Sequence, residues 1–215
     1  KELPIAQATI CKSTQQMLRK AAEDCVETAF HRAADIKSCH IVEDSTSSKH
    51  CSMGPWRLSS KDPYGKVGVC GATIDTIASR NFARMVASGA AAHTDHGMSM
   101  LDVFRGVVEG KIKDYQIKDE QKLLDVAEGL GIETEGREIK EIAMDLYEEL
   151  ERTYTQVEGE IPFVNRVPPK TLATWRELGI VPRGAMREIM EIMHRTHMGV
   201  DQDYENTMKQ CSRTA

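Results

Sequence analysis

The sequence predicts an all-α, multi-helix domain that carries one long cysteine-bearing loop. Three observations lead there. Aromatic residues make up only 5% of the chain, so the apolar positions fall to Ala, Ile, Leu, Val and Met; that composition suits helix packing better than a β-sandwich. Those apolar residues recur at three- and four-residue steps through most of the chain, which is the helical period. Residues 38–71 lack that period and are dominated by Ser, Asp, Lys, Gly and Pro. A loop of this length is uncommon in a compact domain unless something holds it.

In chain order, residues 1–12 read as an irregular lead-in. Ser13-Thr14-Gln15-Gln16 has the form of a capping box, with Ser13 at the N-cap. It opens a helix to about Ile36 whose face is Met17, Leu18, Ala21, Cys25, Ala29 and Ala33. After the loop, with turn signals at Gly54-Pro55 and Asp62-Pro63, a helix runs from Ala72 to about Ala92. Gly97 is expected to break or bend it before a second stretch from Met98 to Glu109. Asp119 caps the next helix, which Gly129 nears the end of, and Ile139 to Leu150 forms a long amphipathic one with a solvated charged face. A proline-bearing loop, 159–170, leads to a short helix over Thr171–Leu178 and another from Val181-Pro182 to about Met198. A last helix begins at Asp201 and is still in progress at Ala215, as expected of a chain cut inside a longer polypeptide. Strands are not expected.

The 215 residues suffice for a real core. A net charge of −5 argues against a nucleic-acid surface. No apolar run is long enough to span a membrane and no signal peptide opens the chain, so the expected location is the cytoplasm.

Six cysteines are too few for a disulfide scaffold. Cys11, Cys25 and Cys211 read as small apolar residues or inert thiols. Cys39, Cys51 and Cys70 share the irregular segment, where a core thiol is out of place, and are candidate ligands of an iron–sulfur cluster or a metal ion. Soft thiolates match iron, and the neighbouring Gly and Pro residues let the backbone turn tightly around a cluster. A four-donor site needs one more ligand. His40, His50 or a second chain can supply it, and zinc is as sensible as a cluster on spacing alone. His93 and His96 lie at i and i+3, with Asp95 on another face; imidazoles so spaced can relay protons or bind metal, or simply sit at a helix surface. His194 and His197 repeat the spacing and read as surface residues, and Trp56 and Trp175 as packing anchors.

Six stretches together resemble the N-terminal helical domain of the catalytic subunit of anaerobic nickel–iron carbon monoxide dehydrogenases. They are Cys51-Ser-Met-Gly-Pro-Trp-Arg-Leu, Gly68-Val-Cys-Gly-Ala-Thr, Ser79-Arg-Asn-Phe-Ala-Arg-Met, Gly89-Ala-Ala-Ala-His-Thr-Asp-His-Gly, Ile132-Glu-Thr-Glu-Gly-Arg and His194-Arg-Thr-His-Met-Gly. The resemblance implies an N-terminal helix over 1–37, a cluster-binding loop over 38–71 and a helical domain over 72–215, truncated before α/β domains that hold a nickel–iron–sulfur cluster. It implies a homodimer with a cluster shared between subunits, at positions Cys39 and Ser47, and a second cluster within each subunit, at Ser48, Cys51, Trp56 and Cys70. Three of those six ligand positions have changed, so the resemblance implies altered ligation through Cys39, Cys51 and Cys70. His93 and His96 match the first two rungs of the family's proton ladder, while Ser99 and Asp102 stand at the next two. The implied reaction is CO + H2O to CO2, two protons and two electrons, with an acceptor such as a ferredoxin. Two other readings are a divergent redox enzyme, such as a hydroxylamine reductase, and a non-enzymatic metal-bound helical module.

Overall fold

The computed structural model describes residues 5–54 and 56–215. Part of the lead-in and Pro55 of the Gly54-Pro55 turn signal lie outside them. The chain is helical as expected, and it forms two compact units divided after Glu43.

The first unit holds four helices: α1 (Ile5–Ala8), α2 (Lys12–Glu23), α3 (Ala29–Asp35) and α4 (His40–Glu43). The single long helix expected here is two. Cys25 takes a left-handed conformation, φ 56°, and its N–H bonds Ala22 O while that of Val26 bonds Ala21 O. That is a Schellman closure, and it ends α2. Thr28 and His31 then form the capping box that starts α3. The box expected at Ser13 is absent, because α2 starts two residues earlier. Its N-cap is Cys11, and Gln15 turns its amide back to Thr9 O, 2.8 Å. Met17 and Cys25, expected on an apolar face, are exposed, and Leu18 is buried.

The second unit is organised around α5, Ile74–Val108, a single 35-residue helix. Thr73 caps it, its hydroxyl accepting the Thr76 N–H at 3.3 Å. Gly97 does not break it. The intrahelical bonds persist because a glycine in mid-helix costs only about 1 kcal/mol, and packing outweighs that. Three apolar clusters lie along the helix. Leu58 and Ala72 of the loop pack on Ile74 and Ile77. Ala83 and Ala87 receive Ile192 and Cys211, which come from α9 (Ala185–Arg195) and α10 (Tyr204–Thr214). Val108 joins Leu123, Ala127, Ile142, Ala143 and Leu146 from α6 (Glu120–Gly129) and α7 (Ile139–Thr155). Cys211 is thus the small core thiol expected. Asp119 caps α6 as expected, accepting the Lys122 N–H at 3.0 Å. A 3-10 turn, Pro162–Arg166, and α8, Pro169–Leu178, complete the unit. α9 begins later than expected, at Ala185, because Pro182–Gly184 leads in as extended chain with its backbone engaged by α7's end: Gln156 donates to Arg183 O.

The loop is not wholly irregular. A short antiparallel pair, β1 (Ser47–Ser48) and β2 (Trp56–Arg57), sets Ser47 opposite Arg57 and Ser48 opposite Trp56. No helix among the described residues is long and apolar enough to cross a membrane.

Candidate functional site

The three loop cysteines fall in different places. Cys39 belongs to the first unit, where it is exposed and its carbonyl accepts the Val42 and Glu43 N–H groups, both at 2.9 Å. Cys51 and Cys70 are half-buried in the second. There α5 holds the loop with polar side chains. Asn81 donates to Ser45 O (2.7 Å) and Ser47 O (3.1 Å), and Leu58 N–H to Thr46 O at 3.2 Å extends the strand pairing. Gly54 is required by a close approach: a Cβ there would stand 2.9 Å from Ser48 O.

Cys70 sits under cations and amides. Arg80 Nη1 lies 3.9 Å from its Sγ, and Gln202 donates to its carbonyl at 2.9 Å. Burial pushes the Cys70 thiol up, but the Ala72 backbone, Arg80 and Gln202 outweigh it and bring it below the ordinary thiol range. Arg80 is itself 3% exposed and its Nη2 donates to Asp201 O. His50 Nε2 is buried without a hydrogen-bond partner among the described residues, and burial first, then Arg84, lowers the His50 pKa.

This donor set does not fit a four-iron cluster held by four thiolates. Of the positions the resemblance points to, Cys51 and Cys70 offer sulfur, and Ser48 offers a hydroxyl. Trp56 offers only an indole N–H, which donates and cannot ligate. Among the described residues, no three His, Cys, Asp or Glu side chains converge as a metal-binding group.

The histidine end of α5 is built differently. His93 lines a cavity of about 970 Å3, together with Thr94, Tyr154, Phe163, Trp175 and Arg213. His96 is exposed and outside that wall. Ser99 turns its hydroxyl to Asp95 O of its own helix, 3.1 Å, and Asp102 is exposed. His194 and His197 are exposed, as expected.

The cavity floor carries an ion network that the sequence reading passed over. Glu188 is 1% exposed. It accepts from Arg183 Nε (2.9 Å), Arg213 Nε (2.9 Å) and Gln210. Glu191 pairs with Arg183, Arg187, Arg195 and Arg213. Burial pushes the Glu191 carboxyl up, but its arginines prevail and hold it at about 2. Arg187, Glu191 and Arg195 recur at four-residue steps along α9 and read as a solvated face, whereas the burial of Glu188 depends on Gln210 and Arg213 of α10. Tyr154 was missed as well. Its signal was Gly97, a glycine inside an unbroken helical pattern, which marks a close approach as readily as a break.

A family model described as the Prismane/CO dehydrogenase family matches residues 47–215. Carbon monoxide dehydrogenase 1 of Methanosarcina acetivorans is 41% identical over 211 residues, covering 96% of this chain and 33% of that protein. The carbon monoxide dehydrogenase/acetyl-CoA synthase subunit beta of Moorella thermoacetica is 33% identical, over 96% of this chain and 31% of its own. Among solved structures, a nickel-free carbon monoxide dehydrogenase from Thermococcus sp. AM4 superposes over 100% of this chain and 34% of its own, with a TM-score of 0.83 and 37% identity. An acetyl-CoA synthase/carbon monoxide dehydrogenase described with NiZn[Fe4S4] and NiNi[Fe4S4] clusters gives a TM-score of 0.81 at 33% identity, over 96% of this chain and 31% of its own. The chain spans about a third of the length of the curated relatives it matches.

Proposed function

Because this chain belongs to the Prismane/CO dehydrogenase family, we propose that it is the N-terminal part of an oxidoreductase that oxidises CO with water to CO2, two protons and two electrons. The observation that carries the reading is His93. It projects from a rigid 35-residue helix into a large, mostly apolar cavity, where a titratable imidazole can hold and release the protons of that reaction. A nickel–iron–sulfur cluster held outside these residues supplies the redox chemistry. His96, outside the cavity wall, is the second rung, and Ser99 and Asp102 continue the path as hydroxyl and carboxylate.

The loop is a proposal of a different kind. Cys39, Cys51 and Cys70 are the residues proposed to ligate whatever iron–sulfur centre this segment retains. That centre is of altered ligation, since the donors do not fit four-thiolate binding. A homodimer, a ferredoxin-like acceptor and a cytoplasmic location accompany the reading.

The test uses the whole polypeptide carrying this segment. CO-dependent viologen reduction is expected, and His93→Ala should lower it about 100-fold or more, the range for loss of a general acid–base group. Hydroxylamine reduction without CO oxidation would replace the reading with the divergent redox enzyme. Zinc without iron, and neither activity, would replace it with the metal-bound module.

A further inference from the structure

We propose that the Tyr154 hydroxyl is the partner through which His93 exchanges protons with the cavity, and that Gly97 is glycine in order to admit it. The proposal rests on the reading of His93 as the acid–base group and adds a relay that does not follow the histidine ladder.

The geometry comes from three observations. First, a Cβ on Gly97 would overlap the Tyr154 hydroxyl, with the ring's Cζ at 2.9 Å and Cε1 at 3.2 Å. The hydroxyl is therefore seated directly on the α5 backbone at position 97. Second, position 97 is i+4 from His93, so Cβ positions at the two sites stand about 6 Å apart. A hydroxyl over residue 97 is then placed for contact with the imidazole through one bridging water. Third, both side chains line the same cavity, and the phenol hydroxyl makes no direct hydrogen bond to a described residue, His93 included, which leaves it free to bind a bridging water.

Helical phase separates this pair from the ladder. At 3.6 residues per turn, position 97 lies about 40° from His93 on one side. His96, Ser99 and Asp102 lie about 60°, 120° and 180° around the other way. Each rung of the ladder thus turns further from the cavity, whereas Tyr154 stays beside His93 on its wall. The substitutions at 99 and 102 lie on the path that leaves the cavity face and leave the Tyr154 path untouched. Glu188, also on the cavity wall, is committed to Arg183, Arg213 and Gln210, which leaves water as the acceptor beyond the phenol.

The transfer balances without any further reactant. An imidazolium N–H gives its proton to the bridging water, which passes one to the phenol oxygen while the phenol O–H gives its own to a second cavity water. His93 ends neutral, Tyr154 ends as it began, and the second water leaves as hydronium.

The experiment compares Tyr154→Phe, Gly97→Ala and Tyr115→Phe in the whole polypeptide. Tyr115 is 67% exposed and outside the cavity wall, so its variant is the control. Tyr154→Phe should lower CO-dependent viologen reduction about tenfold, the low end for disturbing acid–base catalysis. It should also raise the solvent deuterium isotope effect and make the rate responsive to added imidazole. Independently of turnover, acylation of His93 by diethylpyrocarbonate, followed by peptide mass spectrometry, should be several-fold faster in Tyr154→Phe and Gly97→Ala, because the ring nitrogen loses the water that the phenol holds against it. The control should change none of these. An isotope effect and a His93 acylation rate both at wild-type values in Tyr154→Phe would overturn the proposal, whatever the turnover. If the polypeptide oxidises no CO at all, the functional reading fails, and the acylation rates alone decide the pairing.

Discussion

The first turns and the middle of α5 carry the two candidate sites, and they are built differently. At its first turns, Arg80, Asn81 and Arg84 face a loop whose donors are depleted. Asn81 still holds the backbone at Ser45 and Ser47, yet Ser48 and Trp56 supply no thiolate. About four turns along, His93 lines an apolar cavity whose wall also carries Tyr154. The contrast is one of what each site is made from. A proton site consists of side chains on a helix, and the helix fixes them. A cluster site is closed by the metal itself, so a loop with fewer than four thiolates is a well-held scaffold with no four-thiolate set to converge. The loop's folding does not depend on the thiols, because strand pairing, Asn81 and the cluster of Leu58, Ala72, Ile74 and Ile77 hold it.

That contrast breaks most sharply if the loop can be given four thiolates. Ser48 and Trp56 face each other across the strand pair, where opposite Cβ atoms stand about 5 Å apart. Ser48→Cys with Trp56→Cys therefore places two thiols side by side on an intact backbone, to join Cys51 and Cys70. After anaerobic reconstitution the double variant should gain about four iron atoms per chain over the wild type, with the absorbance of a four-iron cluster. Equal iron in the two proteins would show that the scaffold itself, and not the donor set, has changed.

The cavity end is tested through the ions beneath it. Glu188→Ala leaves Arg183 and Arg213 without their buried carboxylate, at a cost of about 3 kcal/mol in thermal unfolding. The same network gives the chain an acid dependence. Glu188 and Glu191 are both held below the ordinary carboxylate value of 4.5, Glu191 at about 2. Their contribution is fully present above 4.5 and is lost as pH falls through the folded-state values. Stability should thus decline from about pH 4.5 towards pH 2, and less steeply in Glu191→Gln. An acid profile unchanged by that substitution would remove Glu191 from the account.

The helical architecture was legible because composition and period agree over long stretches, as at Ile139–Thr155. Breaks were less so. Cys25 ends a helix through a left-handed backbone that cysteine seldom adopts, while Gly97, the residue expected to end one, does not. In both cases neighbours decide: Thr28 and His31 offer a new cap after Cys25, and Tyr154 fills the space at Gly97. The depleted loop was visible in sequence through its resemblance, residue by residue. The burial of Glu188 under Gln210 and Arg213 and the seating of Tyr154 at Gly97 were not, since each joins residues far apart in sequence.

The smallest effect separates holding the loop from filling it. Asn81 makes two hydrogen bonds to loop carbonyls, and replacing it by alanine leaves both acceptors, half-buried, to find water. Each such bond is worth about 1 kcal/mol, so Asn81→Ala should lower stability by about 1–2 kcal/mol. Because the lost bonds anchor β1, the deficit should appear locally as faster amide exchange at Ser47–Leu58, while exchange along Ala87–Gly97 stays at its wild-type rate. Faster exchange at both would mean that the loop and the histidine end of α5 open together, and that the two sites are one cooperative structure rather than two built on a common helix.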